Sequence, residues 1–122
     1  MVEEYIEKNI LVSEYNEAKS KLQGAKLLTH NWGLYFFYDI NDRLLYIGWA
    51  RGFSNRIGNH LRGNSNTKKF TTDIHRVKLM NQDKFDSFRN KYKDCLDIEY
   101  YLISKMKPLY NKELGLKTAF VK

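Results

Sequence analysis

Across residues 1–31 the apolar positions Tyr15, Ala18 and Leu22 recur at helical spacing, with Ser13 placed to cap a helix and Gly24 to end it. This pattern predicts a helical extension before the main domain. The period then changes: Gly33–Ile40 and Arg43–Trp49 are rich in aromatic and aliphatic residues and are separated by the turn signal Asn41-Asp42, which predicts a β-hairpin. If Asn41-Asp42 is a two-residue turn, Tyr35 and Tyr46 share a face as diagonal neighbours, roughly 7–8 Å apart; a three-residue turn would send them to opposite faces. Ser54 is placed to cap a short basic helix reaching about Arg62, followed by a polar, exposed loop over 63–69 and a third strand near Ile74–Met80. From about Lys84 the pattern is helical again, its last stretch running from about Cys95 to Met106, where Pro108 stops it. The order helix, strand, strand, helix, strand, helix implies an α+β fold with a small, at least partly antiparallel sheet between helices.

With 122 residues the chain suits one domain. A hydrophobic fraction of 43%, with 15% aromatic residues, argues against disorder, and no apolar run is long enough for a bilayer. The acidic, mixed N-terminus does not resemble a secretory signal, so the expected location is the cytoplasm. One cysteine, Cys95, excludes an intrachain disulfide and a cysteine-rich zinc module. Lysine and arginine outnumber the acids 21 to 14, a formal charge of +7 that favours polyanionic partners, nucleic acid first. That charge alone does not separate binding from cutting.

Three features point to chemistry. In the last helix Cys95, Leu96, Leu102, Ile103 and Met106 form an apolar stripe interrupted by Glu99, a carboxylate that needs either an arginine partner or a hard divalent cation. Arg56 and His60, four residues apart, project from one helix face, either as a solvated surface or as a guanidinium and imidazole suited to a phosphate. Tyr35 and Tyr46 are either packing residues with wet hydroxyls or a pair serving one ligand.

The ordered set Gly33-Leu34-Tyr35, Tyr46-Ile47-Gly48, Arg56, His60, Glu99 and the ending Pro108-Leu109-Tyr110-Asn111 resembles the GIY-YIG endonuclease family over residues 32–112. Leu34 replaces the usual isoleucine, a volume-conserving change. Trp49 stands where some members carry lysine, so that phosphate contact is either absent or supplied by Arg51, and His60 stands where others have tyrosine, which leaves the proton-transfer role open. The resemblance implies a nuclease domain over 32–112 with a three-stranded antiparallel sheet flanked by helices, beside the helical extension over 1–31 and a tail over 113–122.

It further implies hydrolysis of DNA to 5′-phosphate and 3′-hydroxyl ends, with Tyr35, Tyr46, Arg56, His60 and Glu99 catalytic. Glu99 would hold one Mg2+ or Mn2+, Arg56 would stabilise the transition state, and Tyr46, Tyr35 or His60 would handle the attacking water. Arg51, Lys68, Lys69 and Asn111 are candidate substrate contacts, Asn111 also a brace for the site. The alternative is a catalytically silent nucleic-acid-binding module of the same fold, against which the presence of all five residues counts. A basic ribonucleoprotein component would leave Glu99 unaccounted for. With no zinc finger or helix-turn-helix in view, specificity is expected from residues 1–31, a separate DNA-targeting protein or a homodimer mate.

Overall fold

The computed structural model describes residues 2–20, 32–63, 67–92 and 97–111. A 3-10 turn at Glu3–Tyr5 leads into β1 (Lys8–Leu11) and α1 (Val12–Ser20), and the hairpin strands β2 (Gly33–Tyr38) and β3 (Leu44–Ala50) follow. Then come α2 (Phe53–Leu61), a 3-10 turn at Thr71–Asp73, β4 (Arg76–Asn81), α3 (Gln82–Lys91) and α4 (Ile98–Met106). The sheet has the order β1-β4-β2-β3 with every pairing antiparallel. The α+β architecture is the one expected, with four strands in place of three.

The fourth strand comes from the segment expected to be wholly helical. Lys8–Leu11 pairs with β4, while Val2, Tyr5 and Ile6 join the core beside α3. Four residues are too few to display a period of two, so the strand is invisible to pattern reading. Helix α1 starts one residue before Ser13, and its first-turn Glu14 reaches back to accept from the Leu11 N–H at 3.0 Å, one half of a capping box. Leu22 and Gly24 lie outside the described residues. Ser54 is likewise inside its helix, because α2 begins at Phe53 with Gly52 as N-cap.

All six residues of β2 are buried, which explains its unbroken apolar run: the central strand is covered on both faces. Tyr35 and Phe37 face a layer with Phe53 and Ile57 of α2, and Leu34, Phe36 and Tyr38 face a layer with Phe85, Phe88, Ile98 and Leu102. Gly33 is required by close approach, since a Cβ there would stand 2.1 Å from the Met80 carbonyl oxygen on β4.

Helix boundaries follow from caps. Asn81 accepts from Lys84 N–H at 3.1 Å at the start of α3, and Asp97 accepts from Tyr100 N–H at 3.0 Å at the start of α4. Lys107 turns left-handed at φ 52° and Pro108 follows, so α4 ends where expected. The chain then runs beside the edge strand β3, with the Leu109 and Tyr110 N–H groups donating to the Leu44 and Leu45 carbonyls at 3.1 and 2.9 Å. This covers part of an exposed sheet edge. No helix among the described residues is long and apolar enough to cross a membrane.

Candidate functional site

The hairpin sets the site, and it does so by an unexpected route. Asp39 and Arg43 close the turn, leaving three residues between them: Asp39 N–H donates to Arg43 O and Asp42 N–H to Asp39 O, both at 3.0 Å, and Asp42 is left-handed at φ 61°. The Asp39 carboxylate fastens this turn by accepting from the Asn41 and Arg43 N–H groups at 2.9 and 2.8 Å and from Arg43 Nε at 2.7 Å. Such a turn alone would put the tyrosines on opposite faces. Tyr38 pairs with Leu44, however, and Phe37 with Tyr46, so Leu45 is bulged out of the ladder and the register shifts back. Tyr35 and Tyr46 therefore share a face, with ring centroids 6.2 Å apart. The Tyr35 ring lies across its pairing partner Gly48, where a Cβ would meet Tyr35 Cζ and Oη at 2.2 Å. The glycine makes room for the tyrosine.

Helix α2 packs against this face through Phe53 and Ile57, which carries Arg56 and His60 to the tyrosines. His60 is fully buried, and its Nε2 lies 2.6 Å from the Tyr35 hydroxyl while Nδ1 lies 2.7 Å from Thr67 Oγ1. Burial, assisted by the Arg56 charge, pushes the His60 pKa down to about 3, so the ring is neutral at physiological pH. Tyr35 is also fully buried, and burial together with Tyr46 drives its hydroxyl pKa well above the usual value against the pull of Arg56. Arg56 is half-buried; burial opposes its charge, but hydrogen bonds and charge interactions with Tyr35 and Tyr46 hold its pKa above the usual value. Both tyrosines are buried, and the half-buried Arg56 meets their hydroxyls.

Glu99 occupies the first turn of α4, half-buried, and its charge is felt at Tyr35. The helix begins at Ile98, three residues later than expected, and Ile98, Leu102, Ile103 and Met106 pack on the core; Cys95 and Leu96, the other half of the expected stripe, lie outside the described residues. The described residues contain no group of three His, Cys, Asp or Glu able to hold a metal. A single accessible carboxylate suits magnesium or manganese, hard cations that complete their shells with water and phosphate oxygens, and does not suit zinc, which takes three or four protein ligands.

The other candidates separate. Arg51, Lys68 and Lys69 are exposed. Asn111 is fully buried: its Oδ1 accepts from Ile47 N–H at 2.9 Å and its Nδ2 donates to Ile47 O at 2.8 Å, so it acts as one more rung on the β3 edge beside Tyr46. Thr67 was not singled out by sequence. It is fully buried in a loop expected to be exposed, held by the Phe70 N–H and the Thr71 hydroxyl, which donate to its carbonyl at 3.0 and 3.1 Å. A threonine in a polar stretch carries no signal of such a role; residues 64–66 of that loop lie outside the described residues.

The model of the GIY-YIG catalytic domain matches residues 31–113. UvrABC system protein C of Helicobacter pylori (strain Shi470) is 33% identical over 94 residues, covering 74% of this chain and 16% of that protein. UvrABC system protein C of Ligilactobacillus salivarius (strain UCC118) is 29% identical over 97 residues, covering 78% of this chain and 15% of that protein. The same-named protein of Stenotrophomonas maltophilia (strain R551-3) is 29% identical over 82 residues, covering 67% and 13%. The chain therefore corresponds to less than a fifth of the length of these relatives.

Proposed function

The chain belongs to the GIY-YIG endonuclease family, and from that premise we propose that it is a divalent-metal-dependent domain that cuts DNA by attack of water on phosphorus, leaving 5′-phosphate and 3′-hydroxyl ends. The observation that carries this reading is the convergence of two half-buried, oppositely charged groups on one tyrosine pair. Arg56 hydrogen-bonds Tyr35 and Tyr46, and the Glu99 charge reaches Tyr35.

Each side chain then has a task. Arg56 presents parallel N–H groups to the phosphate and stabilises the charge that grows on it in the transition state. Glu99 holds magnesium or manganese, which when bound supplies positive charge to the phosphoryl and leaving oxygens. Tyr46, beside Arg56, orients the water, whose proton passes to solvent as its oxygen bonds to phosphorus, while the bond to the 3′ oxygen breaks and that oxygen is protonated from solvent. Tyr35, whose phenol is hard to ionise, and His60, which is neutral with both ring nitrogens engaged, hold Arg56 in place and do not take the water's proton. Arg51, Lys68 and Lys69 contact phosphates around the site and confer affinity without sequence preference; selection of the target falls to a partner protein, a second copy or a further part of a longer protein.

Incubation of supercoiled plasmid with the protein, with and without magnesium, tests the proposal. Nicked and linear products are expected only with the metal. Tight DNA binding with no cleavage under either condition would favour the silent binding module instead.

A further inference from the structure

We propose that Thr67 is a positioning residue for this site: by accepting a hydrogen bond from His60 Nδ1 it fixes the imidazole tautomer whose Nε2 accepts from the Tyr35 hydroxyl, which leaves the lone pairs of the Tyr35 oxygen to Arg56. The consequence for cleavage rests on the nuclease reading above; the hydrogen-bond order does not. It follows from donor and acceptor counting along a buried chain of short contacts, Thr67 Oγ1 to Nδ1 at 2.7 Å and Nε2 to Tyr35 Oη at 2.6 Å.

A guanidinium has donors only, so the Tyr35 oxygen accepts where Arg56 meets it. The single Tyr35 proton is then available for His60, and a neutral imidazole that accepts at Nε2 carries its own proton on Nδ1. That proton needs an acceptor in a fully buried place, and Thr67 Oγ1 is at the required distance. In the opposite tautomer an Nε2–H would compete with Arg56 for the Tyr35 oxygen. Thr67 thus orders a chain that ends on the guanidinium, three hydrogen bonds from where it begins, without touching substrate. The turn that Phe70 and Thr71 close on the Thr67 carbonyl keeps the hydroxyl aimed at the ring.

The test uses the full chain with 15N-labelled histidine, free of DNA, and reads the His60 tautomer from its ring nitrogen and proton correlations. A proton on Nδ1 with a bare Nε2 is expected; a protonated Nε2 overturns the proposal. Thr67→Val, which keeps the shape and loses the oxygen, should move the proton towards Nε2 and lower the nicking kcat about ten- to a hundredfold with little change in KM, in line with a small misplacement of a reacting group. Thr67→Ser should restore both. A Thr67→Val protein that melts earlier and cuts more slowly with its tautomer unchanged makes Thr67 merely structural, and the proposal fails. If Thr67→Val does not fold, the wild-type tautomer and the Ser variant decide. Wild-type protein that shows the expected tautomer yet never nicks DNA sinks the nuclease reading and leaves the hydrogen-bond order standing.

Discussion

Tyr35 and Gly48 face each other across the hairpin so closely that the aromatic ring fills the space a side chain at residue 48 would take, 2.2 Å from a Cβ built there. Gly48→Ala should therefore push Tyr35 off His60 and Arg56. We expect a stability loss of about 1–3 kcal/mol from overpacking and a fall in nicking rate of about a hundredfold. Thermal melting and plasmid nicking on one preparation check both, and unchanged cleavage would remove Tyr35 from the site.

The neutral His60 makes a pH prediction. Its folded pKa, about 3, lies below the ordinary value of 6.5. Between these values the unfolded chain binds the extra proton and the folded one does not. The contribution is complete above about pH 6.5 and is lost as pH falls towards 3. Denaturant unfolding across this range should show wild-type stability falling more steeply with acid than that of His60→Gln. Equal slopes would mean that His60 takes up a proton inside the fold.

Glu99→Gln keeps shape and a hydrogen-bonding oxygen while removing the charge that would hold the metal. Folding and DNA binding should persist and metal-dependent nicking should drop by about a thousandfold or more, as expected when positive charge at the leaving oxygen is worth several kcal/mol. A structural ion pair predicts the reverse pattern, a fold weakened by about 3–5 kcal/mol. Wild-type cutting by this variant rejects the single-metal mechanism.

Asn111 tests the edge of the sheet. Asn111→Leu strands the Ile47 N–H and C=O in a buried place, at a cost of about 1–3 kcal/mol for each group left unsatisfied. A lower melting temperature should come with reduced nicking, because Ile47 adjoins Tyr46. A variant as stable as wild type would show that the rung carries no weight.

Binding should be governed by phosphates. Affinity for a DNA duplex should fall linearly on a log–log plot against salt, and Lys68→Ala with Lys69→Ala should each lower the slope by about 1 without altering sequence preference. A slope that does not change places these lysines off the DNA.

Much of this was legible in the sequence. The runs of β2 and β3, the Arg56–His60 spacing and the stop at Pro108 are strong local signals, and each lies where it was expected. The failures were of two kinds. Lys8–Leu11 is too short to show its period, and its place in the sheet depends on a partner nearly 70 residues away, which no local pattern carries. Side chains such as Thr67 and Asn111 take their roles from what they touch: an unremarkable loop threonine meets a buried imidazole, and a helix-exit asparagine becomes a surrogate strand. Glu99 lies in the first turn of a helix whose Ile98, Leu102, Ile103 and Met106 pack on the core, and the part of its expected stripe at Cys95 and Leu96 lies outside the described residues.

The hairpin has a consequence for how such chains vary in length. A three-residue turn and the bulge at Leu45 each displace the pairing by one, and the two displacements cancel before Tyr46. What keeps both hydroxyls on one side is thus a parity, even in total, and not any particular loop length. A chain that gains or loses one residue at the tip stays in phase only with a compensating slip on the strand, so length changes here come in pairs, and the number of residues separating the two tyrosines is by itself no guide to whether they look the same way.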